Sequence, residues 1–259
     1  MNSMGKWIGK TAVVTGASSG IGAAVAEKLV ENGLTVVGLA RRKERIEELS
    51  KQLEGKRGKL YAYRTDVTKE EDILKAFRWT KDNVGPINIL VNNAGIARVT
   101  SLIDGNYKLW KEVFDTNVLG LCTTTREAVR DMRANNVDGH IIHINSIGGY
   151  SIPHIPYLSV YPPSKHALTA LTETLRRELN SIGSKIKISS ISPGYTATEM
   201  LEAAIKGSGL SRCPELEEAL KKLPSLQAKD VADSVLYALA TPPHVQVHNL
   251  IIKPIGEPF

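Results

Sequence analysis

Cysteine and long apolar runs are both scarce in this 259-residue chain. Its two cysteines, Cys122 and Cys213, are too few for a disulfide framework. No uncharged apolar run reaches the roughly 18 residues that a membrane-spanning helix needs, and the first residues contain no apolar stretch of the kind found in secretory signals. These absences predict a protein without a membrane span, in a reducing, cytoplasmic setting.

Blocks of like charge are also missing, although the formal net charge is +6. Basic residues alternate with acids, as in Arg41-Arg-Lys-Glu-Arg-Ile-Glu-Glu48. Because nucleic-acid binding is typical of clustered basic residues, we expect no nucleic-acid partner. The dispersed positive charge favours a small anionic cofactor instead.

Metal-ligand spacing is absent as well. Neither the six histidines, His154 among them, nor the two cysteines recur at the separations that metal sites use. No metal site is predicted, and His143, which lies within an apolar run, is interpreted as a packing residue.

What the chain does have is an alternation of short apolar runs and helical stretches. The apolar runs predict strands at 11–15, 35–40, 60–63, 87–91, 140–145, 185–190 and 250–252. The stretches between them predict helices that include 21–31, 43–53, 115–133 and one that begins near 66–71. No linker or repeat divides the chain, so the pattern predicts an α/β fold. We expect one Rossmann-type domain over 1–259, a doubly wound parallel sheet of about seven strands flanked by helices.

Four motifs follow predicted strands directly, at Gly16, Asn92, Ser146 and Pro193. In parallel sheets of this kind the ligand crevice lies beyond the carboxyl ends of the strands. The four motifs are therefore expected to meet at one edge of the sheet.

The first motif is a glycine-rich turn, Thr15-Gly-Ala-Ser-Ser-Gly-Ile-Gly22, between a predicted strand and a predicted helix. In that context backbone amides at the helix N-terminus bind an anion, and glycines let a pyrophosphate approach closely. The turn favours a dinucleotide site. The alternative is a glycine-rich connection that serves packing alone.

The end of the second predicted strand indicates which dinucleotide is bound. NAD-specific sites usually carry Asp or Glu there, to accept from the ribose 2′-hydroxyl. This chain has Arg41 and Arg42, and no acid before Glu44. Arginine offers a planar fork to a 2′-phosphate, so we expect NADP(H). The alternative is a solvated start to a charged helix.

Tyr161 and Lys165 stand four residues apart, which places them on one face of a helix. A cation beside a phenol favours the phenolate and lowers its pKa from about 10, which suits acid–base work. With a hydride carrier, such a pair can interconvert an alcohol and a ketone. Two prolines lie between them; proline is tolerated in a first helical turn, so we expect the helix to start near Pro162 and to end near Ser181.

Taken together, these motifs resemble those of the short-chain dehydrogenase/reductase family along nearly the whole chain. The turn matches T-G-x-x-x-G-I-G, and Asn92-Asn-Ala-Gly95 matches the family's N-N-A-G. The remaining matches are Asn117, Ser146, Tyr161 with Lys165, and Pro193-Gly194 with Thr196. Within the family the chain is most similar to an NADP-dependent branch that contains insect farnesol dehydrogenases and the vertebrate dehydrogenase/reductase member 11.

The resemblance implies four catalytic roles. Tyr161 exchanges a proton with the substrate oxygen, and Lys165 lowers the phenol pKa and binds the nicotinamide ribose. Ser146 donates to the substrate oxygen, and Asn117 holds a water that links Lys165 to solvent. The implied NADP(H) site consists of Gly16, Ser18, Ser19, Gly20, Ile21, Gly22, Arg41, Arg42, Asp66, Val67, Asn93, Ala94, Gly95, Tyr161, Lys165, Pro193, Gly194 and Thr196.

The substrate is expected to be apolar, because the segments near the crevice are. Residues 195–226 predict a mobile lid, with core packing as the alternative, and Tyr195 and Met200 are expected to contact substrate together with Ser146 and Tyr161. The lead substrate is an isoprenoid alcohol of the farnesol type, ahead of a steroid or another bulky carbonyl. A non-catalytic NADP-binding sensor is the alternative from another class. The resemblance also implies a homodimer or homotetramer built on helices 115–133 and 162–181.

Overall fold

The computed structural model describes residues 4–153 and 155–258, so that His154 lies outside the described residues. The strands are β1 (Thr11–Thr15), β2 (Thr35–Ala40), β3 (Lys59–Arg64), β4 (Ile87–Asn92), β5 (His140–Ile144), β6 (Lys187–Pro193) and β7 (Asn249–Ile252). In the described residues they form one seven-stranded sheet in the order β3-β2-β1-β4-β5-β6-β7. Every pairing is parallel, which confirms the predicted doubly wound α/β fold.

Helices connect the strands and cover both faces of the sheet. They are α1 (Gly20–Glu31), α2 (Lys43–Gln52), α3 (Glu70–Asn83), α4 (Tyr107–Phe114), α5 (Leu121–Ala134), α6 (Tyr161–Ser181), α7 (Met200–Gly207), α8 (Pro214–Lys221) and α9 (Ala228–Ala240). Short 3-10 turns occupy Met4–Trp7 and Ile147–Gly149.

Two elements differ from the prediction by more than one residue. The helix expected at 115–133 begins at Tyr107, because the Asn106 side chain caps α4 by accepting from the amide of Lys108 at 2.8 Å. A π-helical turn, Asp115–Gly120, joins α4 to α5, and hydrophobic periodicity does not reveal such an insertion. The sixth strand begins at Lys187 rather than 185, because the Ser184 hydroxyl turns the chain by accepting from the amide of Ile186 at 3.2 Å.

The five central strands, β1, β2, β4, β5 and β6, are buried on both faces, so alternate residues of one strand enter different cores. Ala12 and Val14 belong to one apolar cluster, whereas Val13 belongs to the cluster on the opposite face. Met132 and Leu168 are both buried, at 0% and 1% exposure. These two side chains, one on each of the helices that the resemblance assigns to an oligomer interface, are therefore core residues.

The reversal of strand order between β1 and β4 positions the site. Chain connections leave to opposite sides there, which opens a crevice beyond the carboxyl ends of these strands. The glycine-rich turn after β1 and the Asn93 loop after β4 both border this crevice.

Candidate active site

The glycine-rich turn is a tight cradle that side chains would fill. Gly16 and Gly20 have φ of +68° and +54°, a region that L-residues with side chains seldom adopt. A Cβ at Gly22 would overlap the carbonyl oxygen of Gly16. The turn therefore brings bare backbone and the N-terminal amides of α1 to the crevice, which fits the pyrophosphate of a dinucleotide.

Thr15 ties this turn to the loop after β4. Its Oγ1 accepts from the amides of Asn93 and Ala94, each at 3.0 Å. The Asn93 side chain returns a bond of 3.0 Å to the carbonyl of Thr15. The two loops are thereby held as one wall.

A cavity of about 380 Å³ extends from this wall along the end of β2. Most of the predicted cofactor residues line it, namely Gly16, Ser18, Ser19, Gly20, Ile21, Arg41, Arg42, Asp66, Val67, Asn93, Ala94 and Gly95. Gly22 does not line it and acts through close packing beneath the turn.

Two arginines and a glutamate form an ion cluster at the wall of this cavity. Arg42 donates to the hydroxyl of Ser19 at 2.8 Å and to the carboxylate of Glu199 at 3.1 Å. Arg45 donates to the same carboxylate at 2.7 Å. The hydrogen bonds from Arg45 and Arg42 lower the pKa of Glu199, so the carboxylate stays charged. Sequence reasoning missed both Arg45 and Glu199, because they meet only through the fold.

A second cavity, of about 160 Å³, adjoins the first and shares walls with it at Ile21, Asn93, Gly95, Thr198 and Met200. Its lining brings together the remaining predicted site residues, except Asn117. These are Ser146, Tyr161, Lys165, Pro193, Gly194, Tyr195, Thr196 and Met200.

Tyr161 is the first residue of α6, one position before the predicted start, and the prolines that follow it occupy the first helical turn. Its phenol has Ser146 as a polar neighbour, which acts to lower the phenol pKa. Ser146 itself ends the turn after β5, where its Oγ accepts from the amide of Gly148 at 3.0 Å. Phenol and hydroxyl thus converge on one point of the second cavity.

The expected lowering of the phenol pKa by Lys165 is not what the structure shows. Burial raises the pKa of Tyr161, and the neighbouring Ser146 acts in the opposite direction without outweighing it. The Nζ of Lys165 lies 5.7 Å from the Tyr161 ring centroid and donates to the carbonyl of Ile144 at 2.9 Å. Loss of hydration therefore exceeds the effect of a cation at that distance.

Lys165 itself is buried, and burial lowers its pKa from 10.5 to about 8. An ammonium in this position is close to titrating at physiological pH. Such displaced pKa values are typical of functional sites.

Asn117 lies behind the second cavity, in the π turn, with 1% exposure. Its Oδ1 accepts from the amide of Ile96 at 2.8 Å, and its Nδ2 donates to the carbonyl of Ile96 at 3.0 Å and to Ser164 at 2.9 Å. Both amide hydrogens are thus used. A water held by Asn117 must therefore donate to an oxygen of that residue. The proton relay from Lys165 to solvent through such a water stays a prediction.

Two further residues at the site were missed. Thr198 lines both cavities and packs against Gly20 of the glycine-rich turn, whereas the predicted Thr196 lines the second cavity alone. Glu257 accepts from the amide of Tyr195 at 2.6 Å, and its carboxylate leaves no space for a side chain at Gly194. The sequence alone does not indicate which of Thr196 and Thr198 faces the cofactor cavity. Glu257 lies in no recognisable motif, so the sequence does not indicate its contact with Tyr195 either.

Residues 195–226 divide between core and cavity. Ile205, Leu216 and Leu220 are buried in a separate apolar cluster, against which Tyr195 and Leu201 pack. Tyr195, Leu201 and Leu220 also line the second cavity. The segment supplies an apolar wall, and its mobility remains a prediction.

Histidines near the site are structural in character. His143 is buried and bonded to Thr172 at 2.9 Å and to Thr125 at 3.3 Å, and burial lowers its pKa to about 3. Within residues 4–153 and 155–258, no group of three His, Cys, Asp or Glu side chains could hold a metal ion. Across the same ranges, no helix combines the length and the apolar character that crossing a bilayer requires.

Comparison with known proteins places this geometry among dehydrogenases. The family model of short chain dehydrogenases matches residues 10–208. Farnesol dehydrogenase of Aedes aegypti is 49% identical over 258 residues, covering 99% of this chain and 100% of that protein. Dehydrogenase/reductase SDR family member 11 of Bos taurus is 44% identical over 258 residues, covering 98% and 99%.

Solved structures share the fold along the chain. The closed form of serine dehydrogenase with NADP+ superimposes with a TM-score of 0.85 at 28% identity and covers 96% of each chain. A short-chain dehydrogenase/reductase of Burkholderia phymatum in complex with NAD has a TM-score of 0.83 at 27% identity, covering 95% of this chain and 89% of that one. Related proteins of this fold thus bind either nicotinamide cofactor.

Proposed function

This chain belongs to the short-chain dehydrogenase/reductase family, and on that premise we propose that it is an NADP(H)-dependent oxidoreductase that interconverts an apolar alcohol and its aldehyde or ketone. The observation that carries the proposal is the convergence of Ser146, Tyr161 and Lys165 on a cavity that shares a wall with the glycine-rich cradle.

The proposed chemistry divides between cofactor and protein. A bound nicotinamide supplies the hydride chemistry. The Tyr161 hydroxyl gives a proton to the carbonyl oxygen in reduction and takes it from the alcohol in oxidation. Ser146 donates to the same oxygen and stabilises the charge that develops there. Because burial raises the pKa of Tyr161, the protonated phenol, which serves carbonyl reduction, predominates at neutral pH.

The remaining cofactor roles follow the position of each residue. The turn from Gly16 to Gly22 receives the pyrophosphate, and Lys165 binds the nicotinamide ribose. Pro193, Gly194 and Thr196 border the nicotinamide end, with Thr198 added from the structure.

The proposed preference for NADP rests on charge at the end of β2. Arg41 and Arg42 both line the first cavity, and the nearest acid in sequence, Glu44, does not. Arg42 is held toward the turn by Ser19. A guanidinium in this place matches a 2′-phosphate, and the chain directly after β2 lacks the Asp or Glu that would accept from a 2′-hydroxyl.

The proposed substrate is an isoprenoid alcohol of the farnesol type. The second cavity is walled by Ile147, Ile155, Leu158, Leu201 and Leu220, and the 49% identical mosquito relative is named for farnesol. A steroid or another bulky carbonyl suits the same apolar wall and is the second candidate.

A panel of substrates tests the proposal. NADPH absorbance is followed with farnesol, farnesal, a steroid ketone and a small polar sugar, at matched concentrations of NADP(H) and NAD(H). We expect turnover of the apolar compounds, with NADP(H) preferred. Preference for the sugar would reject the apolar substrate, and NADPH binding without turnover of any compound would favour the sensor.

We also propose a cytoplasmic homodimer or homotetramer. Leu119 is exposed at 59% in the segment 115–133 that the family resemblance assigns to an interface. Light scattering after size exclusion distinguishes dimer, tetramer and monomer.

A further inference from the structure

The carboxylate of Glu199 lies at the wall of the first cavity, in contact with Arg42 and Arg45. It accepts from Arg42 at 3.1 Å and from Arg45 at 2.7 and 2.8 Å through its two oxygens. Arg42, Glu199 and the adjacent Arg41 all line this cavity. The Arg42 guanidinium, whose geometry suits a phosphate, is thus already bound to a carboxylate of the same chain.

We propose that Glu199 is a specificity-determining residue, which competes with the cofactor 2′-phosphate for Arg42 and weakens the binding of NADP(H) without affecting NAD(H). The inference rests on the proposed preference for NADP(H), and it identifies Glu199 as the group that competes with the 2′-phosphate for Arg42. A 2′-phosphate at Arg42 would meet a like charge at contact distance, so Glu199 must leave Arg42 when NADP(H) binds.

Displacement of Glu199 is expected to affect the second cavity, where the substrate is proposed to bind. Glu199 immediately precedes α7, whose Met200, Leu201 and Ala204 line the second cavity. At its other end, α7 is fixed to the loop at 97–101, because the Ser208 hydroxyl accepts from the amide of Val99 at 2.7 Å. NADP(H) therefore removes one of the two arginine contacts at the start of α7, the one from Arg42, while Arg45 and the far end of the helix stay attached. This loosening couples cofactor binding to the apolar wall.

The size of the effect follows from exposure. The side chains of Arg42, Arg45 and Glu199 are 49%, 44% and 48% exposed. Exposed ion pairs are weak, so removal of the competitor should tighten NADP(H) binding about two- to fivefold rather than by orders of magnitude.

The test compares Glu199→Gln with Glu202→Gln in the full chain. Glu202 is an exposed acid on the same helix and does not line the first cavity, so it controls for net charge. Calorimetric titration uses adenosine 2′,5′-bisphosphate and 5′-AMP, which differ only in the 2′-phosphate, followed by NADPH and NADH.

We expect Glu199→Gln to tighten binding of the bisphosphate and of NADPH about two- to fivefold, and to leave binding of 5′-AMP and NADH unchanged. Glu199→Asp, which keeps the charge, should bind close to the wild type. In hydrogen exchange, the α7 amides of Glu199→Gln should exchange faster than those of the wild type, while those of α8 stay the same.

Three results would overturn the inference: unchanged or weaker binding of the bisphosphate by Glu199→Gln, equal tightening by Glu202→Gln, or unchanged exchange in α7. Failure of the proposed NADP preference looks different, because the wild type itself would then bind the bisphosphate and 5′-AMP equally.

Discussion

The side-chain amide of Asn117 donates a hydrogen bond of 2.9 Å to the hydroxyl of Ser164, both groups being buried. Ser164 in turn donates to the carbonyl of Tyr161 at 2.7 Å. This pair joins the π turn to the first turn of α6, the turn that positions Tyr161 and Lys165. The backbone of the catalytic helix is thus anchored from behind the cavity.

Replacement of Ser164 by alanine should lower the free energy of unfolding by about 1–3 kcal/mol, because it leaves a buried amide hydrogen of Asn117 without an acceptor. Urea denaturation measures the change. Ser181→Ala is the control, since Ser181 bonds to Glu178 at the exposed end of the same helix. Equal losses of unfolding free energy in both variants would show that the hydrogen bond from Asn117 to Ser164 does not stabilise the fold.

Tyr161→Phe should reduce kcat for farnesal reduction and farnesol oxidation about 100- to 10,000-fold, because it removes the proton-transfer group. Calorimetric affinity for NADPH should change little, since the phenol lies on the substrate side. Single-turnover rates with saturating cofactor measure the chemical step. A variant that retains near wild-type turnover would refute the assigned role of Tyr161.

Arg42→Ala should weaken NADPH about 10- to 100-fold, the range for loss of a charge-assisted bond to phosphate. NADH should bind as before, and Arg41→Ala should show a smaller loss of the same kind, because among the described residues the turn is bonded to Arg42 and not to Arg41. Fluorescence titration with both cofactors measures the ratio. Equal losses for NADPH and NADH would overturn the assignment of the 2′-phosphate to these arginines.

Lys165→Met should abolish turnover and yet stabilise the fold. Burial displaces the Lys165 pKa from 10.5 to about 8, which corresponds to roughly 3 kcal/mol at neutral pH. Loss of the bond to the carbonyl of Ile144 offsets about 1–2 kcal/mol of this. We therefore expect a net gain of about 1–2 kcal/mol in the free energy of unfolding at pH 7.

The gain should depend on pH. Between about 8 and 10.5, the unfolded wild type holds a proton at Lys165 that the folded wild type has lost, so wild-type stability rises across this window. The advantage of Lys165→Met is complete below pH 8 and disappears as pH approaches 10.5. Thermal denaturation at several pH values checks this, with the exposed Lys221→Met as control. An advantage that stays constant with pH would mean that burial of the ammonium is not its cause.

The parts of the site that sequence predicted are those with local signatures. The glycine-rich turn follows its strand within a few residues, and Tyr161 and Lys165 are one helical turn apart, so spacing alone implies their geometry. Most cofactor residues lie at strand ends, whose convergence follows from the parallel sheet.

The parts that sequence could not predict depend on contacts between distant segments. Arg42 meets Glu199 across 157 residues, and Glu257 reaches Tyr195 across 62. The phenol pKa depends on how fully the folded chain excludes water from Tyr161, which no motif encodes. The π turn at Asn117 was not predicted for a different reason: one inserted residue leaves the apolar pattern of the helix nearly unchanged.

The strand order β3-β2-β1-β4-β5-β6-β7 governs how the chain gains activity as it folds. β1 can pair with β2, and β2 with β3, through short closures, whereas β4 must return past both β2 and β3 to reach the free edge of β1. Each such closure costs chain entropy before its contacts form, which slows the assembly of non-local sheets. The crevice between β1 and β4 exists only after that step, and its outer wall only after β6 has joined. Recovery of catalysis in a refolding experiment should therefore lag behind recovery of helical circular dichroism, so that enzyme activity reports on the last stage of folding.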